Sequence, residues 1–253
     1  MYPTVFRIGD FDITSFGVLV AAGALVGLWI LGRELARSGL PASASDAAMA
    51  GVFGGLLGAK LLWTFEHMGE EPFTALLFSR GGMSWFGGLI GGVGVALVML
   101  RRQGTPIVPT LAAAAPALAI GHAIGRIGCF MVGDDYGRPS DLPWAVAFPL
   151  GLPPVDVPVH PTQLYEALAL GVVAWLLIRW RRAGASDAVV VGRYFVLAGS
   201  IRFAIEFIRV NTRIVGPLTL AHLISLTLAV VGVVILMRAS GEAPVAPARS
   251  RKR

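Results

Sequence analysis

The sequence predicts an all-α, polytopic integral membrane protein of about seven transmembrane helices, and three observations lead there. Hydrophobic residues make up 55% of the chain and charged residues only 14%, whereas a soluble domain is roughly a quarter charged. Mean hydropathy is +0.72. Apolar segments close to the ~20 residues that cross a bilayer recur along the whole length.

The expected spans are about 13–32, 46–65, 84–100, 107–130, 162–180, 192–209 and 218–237. They form one helical domain over 1–238. Only one basic residue, Arg7, precedes the first span and no small-residue cleavage site follows it closely, so it reads as a membrane helix and not as a signal peptide. The second and third are rich in glycine: Gly51, Gly54, Gly55 and Gly58, then Gly87, Gly88, Gly91, Gly92 and Gly94. Their four-residue spacing predicts a close helix crossing, although a glycine-walled groove for a lipid tail shares that signature. Two longer connections, about 66–83 and 131–161, separate spans. The second carries Pro139, Pro143, Pro149, Pro153, Pro154 and Pro158, which predicts a structured loop or a pair of short elements. Residues 239–253 are small, proline-containing and basic, the composition of a disordered tail.

Charge placement sets the expected orientation. Arg33, Arg37, Arg101, Arg102, Arg179, Arg181, Arg182, Arg193, Arg238 and the basic tail fall on one face. The other holds only Arg7, Arg80, Arg138, Arg209 and Arg213, beside carboxylates such as Glu70, Asp134 and Asp156. The positive-inside rule then puts the N-terminus outside and the C-terminus in the cytoplasm. The net charge of +6 is a topology signal scattered over short loops, a poor pattern for nucleic acid. Cys129 is the only cysteine, which excludes an intrachain disulfide.

One stretch carries most of the chemistry: GHAIGRIGCFMVGDDYGR, 121–138. Ile107–Ile120 upstream contains no charge, so a continuing helix delivers Arg126 near the end of a span. A charge at membrane depth costs at least ~2.5–3.5 kcal/mol and normally marks a functional site. The anion a bilayer offers is a lipid phosphate. His122 lies one helical turn before Arg126 on the same face; it is either a proton acceptor or a histidine satisfied by a neighbouring helix. Asp134 and Asp135 follow in a turn, without the His/Asp spacing of a metal site, and no metal is expected.

Four blocks in order, RGGMSWFGGLIGG (80–92), GRIGCFMVGDDYGR (125–138), HPTQLYEAL (160–168) and IRFAIEFIR (201–209), followed by LTLAHLISL (218–226), resemble prolipoprotein diacylglyceryl transferases. The resemblance implies a multi-pass enzyme of the bacterial inner membrane with an external active site. It would move the diacylglyceryl group of phosphatidylglycerol to the lipobox cysteine thiol of a prolipoprotein, forming a thioether and releasing glycerol 1-phosphate. No cofactor is implied. The family's two essential arginines fall on Arg126 and Arg202, as catalytic and phospholipid-binding residues. Its acidic residue falls on Asp134, a glycine on Gly137, and Arg138 is expected at the glycerol headgroup. Glu206, one turn after Arg202, is expected to hold that guanidinium; His160, Gln163 and Glu166 are expected to pin the external loop. The chain departs from the family pattern at Cys129 (for asparagine), Asp134 (for glutamate), Phe86 (for histidine), and Phe16 and Ala198 (for tyrosines). With Phe86 in place of the histidine, His122 becomes the candidate base. These departures leave open a related transferase with another lipid donor or acceptor, or a non-catalytic phospholipid-binding protein.

Overall fold

The computed structural model describes residues 4–9, 11–79 and 82–240. Arg80 and the expected tail beyond Ser240 lie outside the described residues. The chain opens with an antiparallel hairpin, β1 (Thr4–Ile8) and β2 (Phe11–Thr14). It then forms α1 (Ser15–Arg37), α2 (Ser43–Glu66), the short α3 (Phe73–Phe78), α4 (Trp85–Arg102) and α5 (Ile107–Val132). A second hairpin, β3 (Val146–Phe148) and β4 (Val155–Val159), leads into α6 (Thr162–Arg182) and α7 (Asp187–Glu206). A third, β5 (Arg213–Val215) and β6 (Leu218–Thr219), runs into α8 (Leu220–Ser240).

Six of these helices are long and apolar enough to cross a membrane: α1, α2, α5, α6, α7 and α8. The remaining expected span is α4, eighteen residues ending at Arg101 and Arg102. One expected boundary shifts. The sixth span starts at Asp187 and ends at Glu206, not at 192 and 209. Arg193 lies within this helix with its guanidinium over the Trp180 ring at 4.5 Å, so the charge is carried on the helix surface.

Helix α5 is the centre of the bundle because the buried face of its first half is mostly alanine. Ala112, Ala115 and Ala119 meet Val173, Ala174 and Leu177 of α6 and Val190 and Val191 of α7. Ala113 and Ala117 meet Leu31 and Leu35 of α1, with Ala44 and Ala47 of α2 beside them. Small side chains let backbones approach, and in a membrane that packing supplies much of the helix–helix attraction. The glycine seams work the same way. A Cβ added at Gly54 would lie 2.9 Å from the Gly91 carbonyl oxygen, and one at Gly51 3.1 Å from that of Gly92. The glycines of α2 and α4 therefore face each other across a backbone-to-backbone crossing, as their spacing predicts.

Candidate active site

Local turns bring the carboxylates of the 121–138 stretch back over the end of α5. The helix stops at Gly133, whose left-handed conformation (φ 72°) lets both its own amide and that of Asp134 bond the Cys129 carbonyl, the usual glycine stop. Asp135 is also left-handed (φ 59°), a conformation aspartate tolerates better than most residues. The turn is tied down from α6: Thr162 Oγ1 donates to the Asp135 carbonyl at 2.8 Å and Gln163 Nε2 to that of Asp134. Tyr136 stacks on the fully buried Phe148 and donates its hydroxyl to the Pro153 carbonyl at 2.8 Å.

Three guanidiniums and three carboxylates meet there. Arg126 Nη1 donates to Asp135 Oδ2 at 2.8 Å and lies 3.4 Å from the Cys129 sulfur. Its Nε is 2.9 Å from Glu166 Oε2, off the N–H direction, so this contact is an ion pair without an aligned hydrogen bond. Asp135 Oδ1 accepts from Arg209 Nη2. Arg202 Nη2 sits 2.7 Å from Glu206 Oε2, and Arg209 Nε is 3.7 Å from the same oxygen. Arg126 Nη2 and Arg202 Nη1 are buried and have no hydrogen-bond partner among the described residues. Unsatisfied guanidinium nitrogens at this depth are costly and ready for an anion.

Glu206 gathers the far side of the site. Its Oε1 accepts from Asn211 Nδ2 at 2.7 Å and from Thr219 Oγ1 at 2.6 Å. Thr219 opens α8 with a reciprocal cap: its amide donates to His222 Nδ1 at 3.1 Å while the His222 amide donates to Thr219 Oγ1 at 3.4 Å, a histidine form of the capping box. The His222 proton is thereby placed on Nε2, between the rings of Phe203 and Phe207.

The two adjacent aspartates are electrostatically unlike. Burial pushes the Asp135 carboxyl up, but Arg209 and Arg126 outweigh it and hold the group below the usual carboxylate range. Asp134 is lifted above that range, first by burial and also by the Asp135 charge. Their oxygens and the Cys129 sulfur all lie within 4.8 Å of one another, but Asp135 is already committed to two guanidiniums.

Measured against the sequence reading, Arg126, Arg202, Glu206, Glu166, Gln163 and the 134–135 turn are brought together. The geometry adds three particulars. The carboxylate bonded to Arg126 is Asp135, not Asp134, which instead lies against the Cys129 thiol. Glu166 does more than pin the loop, since it pairs with Arg126 and lies 3.6 Å from His122 Nε2. Gly137 has a packing reason: a Cβ there would lie 2.7 Å from the Ile208 carbonyl oxygen and 2.9 Å from the His160 Cβ. Arg138 is exposed and its backbone bonds Ile208 and His160. His160 Nδ1 lies 3.3 Å from the Tyr165 hydroxyl. Arg209, expected only as an external charge, lies just beyond the end of α7, and its guanidinium turns back onto Asp135 and Glu206.

The family model described as prolipoprotein diacylglyceryl transferase matches residues 3–238. The chain belongs to the prolipoprotein diacylglyceryl transferase family. Among its relatives, the phosphatidylglycerol–prolipoprotein diacylglyceryl transferase of Methylococcus capsulatus is 33% identical over 252 residues, covering 94% of this chain and 95% of the relative. Those of Geobacter sulfurreducens and Nitratidesulfovibrio vulgaris are 31% and 32% identical, covering 94% and 98% of this chain and 95% and 97% of theirs. Within this family the chain is a multi-pass membrane protein whose arginine cluster sits at one end of the bundle.

Proposed function

We propose that this protein transfers the diacylglyceryl group of phosphatidylglycerol to the cysteine thiol of a prolipoprotein lipobox, at the external face of the bacterial inner membrane. The observation that carries the reading is the pair of buried, unpartnered nitrogens, Arg126 Nη2 and Arg202 Nη1, beside guanidiniums already oriented by Asp135, Glu166 and Glu206. Planar guanidiniums suit a phosphate. In the reaction the thiolate sulfur bonds to the terminal glyceryl carbon and the carbon–oxygen bond to phosphorus breaks. The electron pair leaves with glycerol 1-phosphate, and a thioether remains. Charge gathers on the departing phosphate, where fixed cations stabilise the transition state more than the ground state. Asp134, Gly137 and Arg138 line the turn beside this phosphate and complete the headgroup pocket in this reading.

His122 takes the thiol proton. Its Nε2 faces Glu166 at 3.6 Å, too far for a hydrogen bond but close enough to favour the proton on Nε2. That leaves the Nδ1 lone pair as acceptor. The imidazole is half exposed, against 7% for the Arg126 side chain, so an incoming thiol can reach it. His160, Gln163 and Glu166 act by position, holding the 133–161 loop and the Arg126 guanidinium.

Thioether formation on a lipobox peptide, with purified protein and phosphatidylglycerol, tests the proposal. Arg126→Ala should lower turnover by about a hundredfold or more, the loss typical of one removed charge-stabilising donor. His122→Ala should cost about 10²–10⁴-fold and flatten the neutral limb of the pH–rate profile. A folded, lipid-loaded wild type that makes no thioether would point to another acceptor or to phospholipid binding alone. Normal turnover and pH profile in His122→Ala would remove that residue from the mechanism.

A further inference from the structure

The end of the bundle away from the arginine site carries a second concentration of guanidiniums, in a groove between α1 and α6. Two adjoining cavities of about 280 Å³ and 200 Å³ share Glu34, Arg37 and Arg182 as walls. Glu166 and Arg182 stand sixteen residues apart on α6, so the groove lies ~24 Å along the helix from the active site.

The groove is built, not incidental. Glu34 is 3% exposed and accepts from Arg37 Nη1 at 2.7 Å and from Arg181 Nε at 2.8 Å. Arg181 spends its other nitrogens on Ser38 Oγ at 2.6 Å and Asp187 Oδ1 at 3.4 Å. Those pairs fix the walls. Arg33 and Arg182 are exposed and have no carboxylate partner among the described residues. Four guanidiniums against the carboxylates of Glu34 and Asp187 leave a surplus of positive charge. The walls then turn apolar: Trp29, with the Arg33 guanidinium 4.8 Å from its ring centroid, Ile30 and Ile178. An indole beside arginines at a helix end is the signature of headgroup depth.

We infer that this groove binds the phosphodiester headgroup of an anionic phospholipid from the leaflet opposite the active site. Arg33 and Arg182 contact the phosphate, and Ile30 and Ile178 receive the first methylenes of an acyl chain. A basic recess between helices on a membrane's basic face is suited to such a lipid. A soluble phosphate would use the same guanidiniums but gain nothing from the apolar wall.

The test is lipid retention, independent of catalysis. Full-length protein in phosphatidylcholine nanodiscs is titrated with phosphatidylglycerol, and bound lipid is counted by native mass spectrometry after extraction. Arg33→Gln/Arg182→Gln should lose one retained anionic lipid, with affinity for it falling about thirtyfold, while thioether turnover stays unchanged. Ile178→Trp narrows the groove, keeps every charge and should lose the same lipid, which covers a double variant that fails to fold. Equal retention by wild type and both variants would overturn the inference. So would displacement of that lipid by inorganic phosphate at concentrations that leave the active-site lipid in place.

Discussion

Asp135 holds Arg126 and Arg209 at once, so it sets the spacing of the guanidiniums on either side of the α5–α7 contact. Asp135→Asn should lower kcat by about a hundredfold, the cost of displacing a catalytic group by roughly an ångström, while the Arg202–Glu206 pair is kept. Its effect on stability has a definite sign. The folded-state carboxyl titrates below the unfolded value near 3.9, so its contribution is complete above that value and is lost as pH falls through the lower folded pKa. Asp134 has the opposite sign, because its folded pKa is raised: its contribution is greatest in acid and is lost as pH rises through that pKa. Thermal melts in detergent at neutral pH should therefore fall for Asp135→Asn and hold or rise for Asp134→Asn. Equal shifts in the two variants would contradict the assignment. The sequence alone did not assign Arg126 to either member of this pair. Neighbouring aspartates in a turn have no periodicity to distinguish them, and the left-handed backbone at Asp135 that turns its carboxylate inward is not encoded in a pattern.

Helices α2 and α4 meet through glycine on both sides, so the space a side chain would need is already filled by backbone. Gly58→Ala sets a methyl against the Gly87 carbonyl, and overpacking of this kind costs about 1–3 kcal/mol. Gly94 on α4 has nothing within 4 Å of an added Cβ, so Gly94→Ala should keep the unfolding midpoint unchanged or slightly raised. Midpoints measured in the same detergent check both; matching gains would mean that helix propensity, not the crossing, governs this pair. This seam was legible from spacing because packing of small residues repeats every four positions. Of the hairpins, only the β3–β4 pair was foreshadowed, as a pair of short elements in the proline-rich connection. Strands of two to five residues are too short for an alternation to register. Arg209 was obscured for a related reason: an apolar run to 209 conceals that the helix ends at Glu206, leaving the second arginine free to turn back toward Asp135.

Across the whole molecule, α5 at the centre and the ends of α6 and α7 around it put every charged group of the site at one pole of an apolar bundle. That placement followed from hydropathy and from the two arginine blocks; the carboxylates that balance them needed tertiary contacts. The balance between three guanidiniums and three carboxylates affects turnover. The lipid's phosphodiester brings one negative charge into a neutral cluster, whereas the phosphomonoester that leaves carries up to two, its second ionisation lying near pH 6. The cluster thus grips the product harder than the substrate it came from. Glycerol 1-phosphate should compete with phosphatidylglycerol, several-fold more strongly at about pH 7.5 than at about pH 5.5, in an inhibition series on the lipobox-peptide assay. An inhibition constant flat across that range would show that the monoester's second charge is not felt. In a site made this way, the spent headgroup has to leave against a stronger hold than the one that received the lipid.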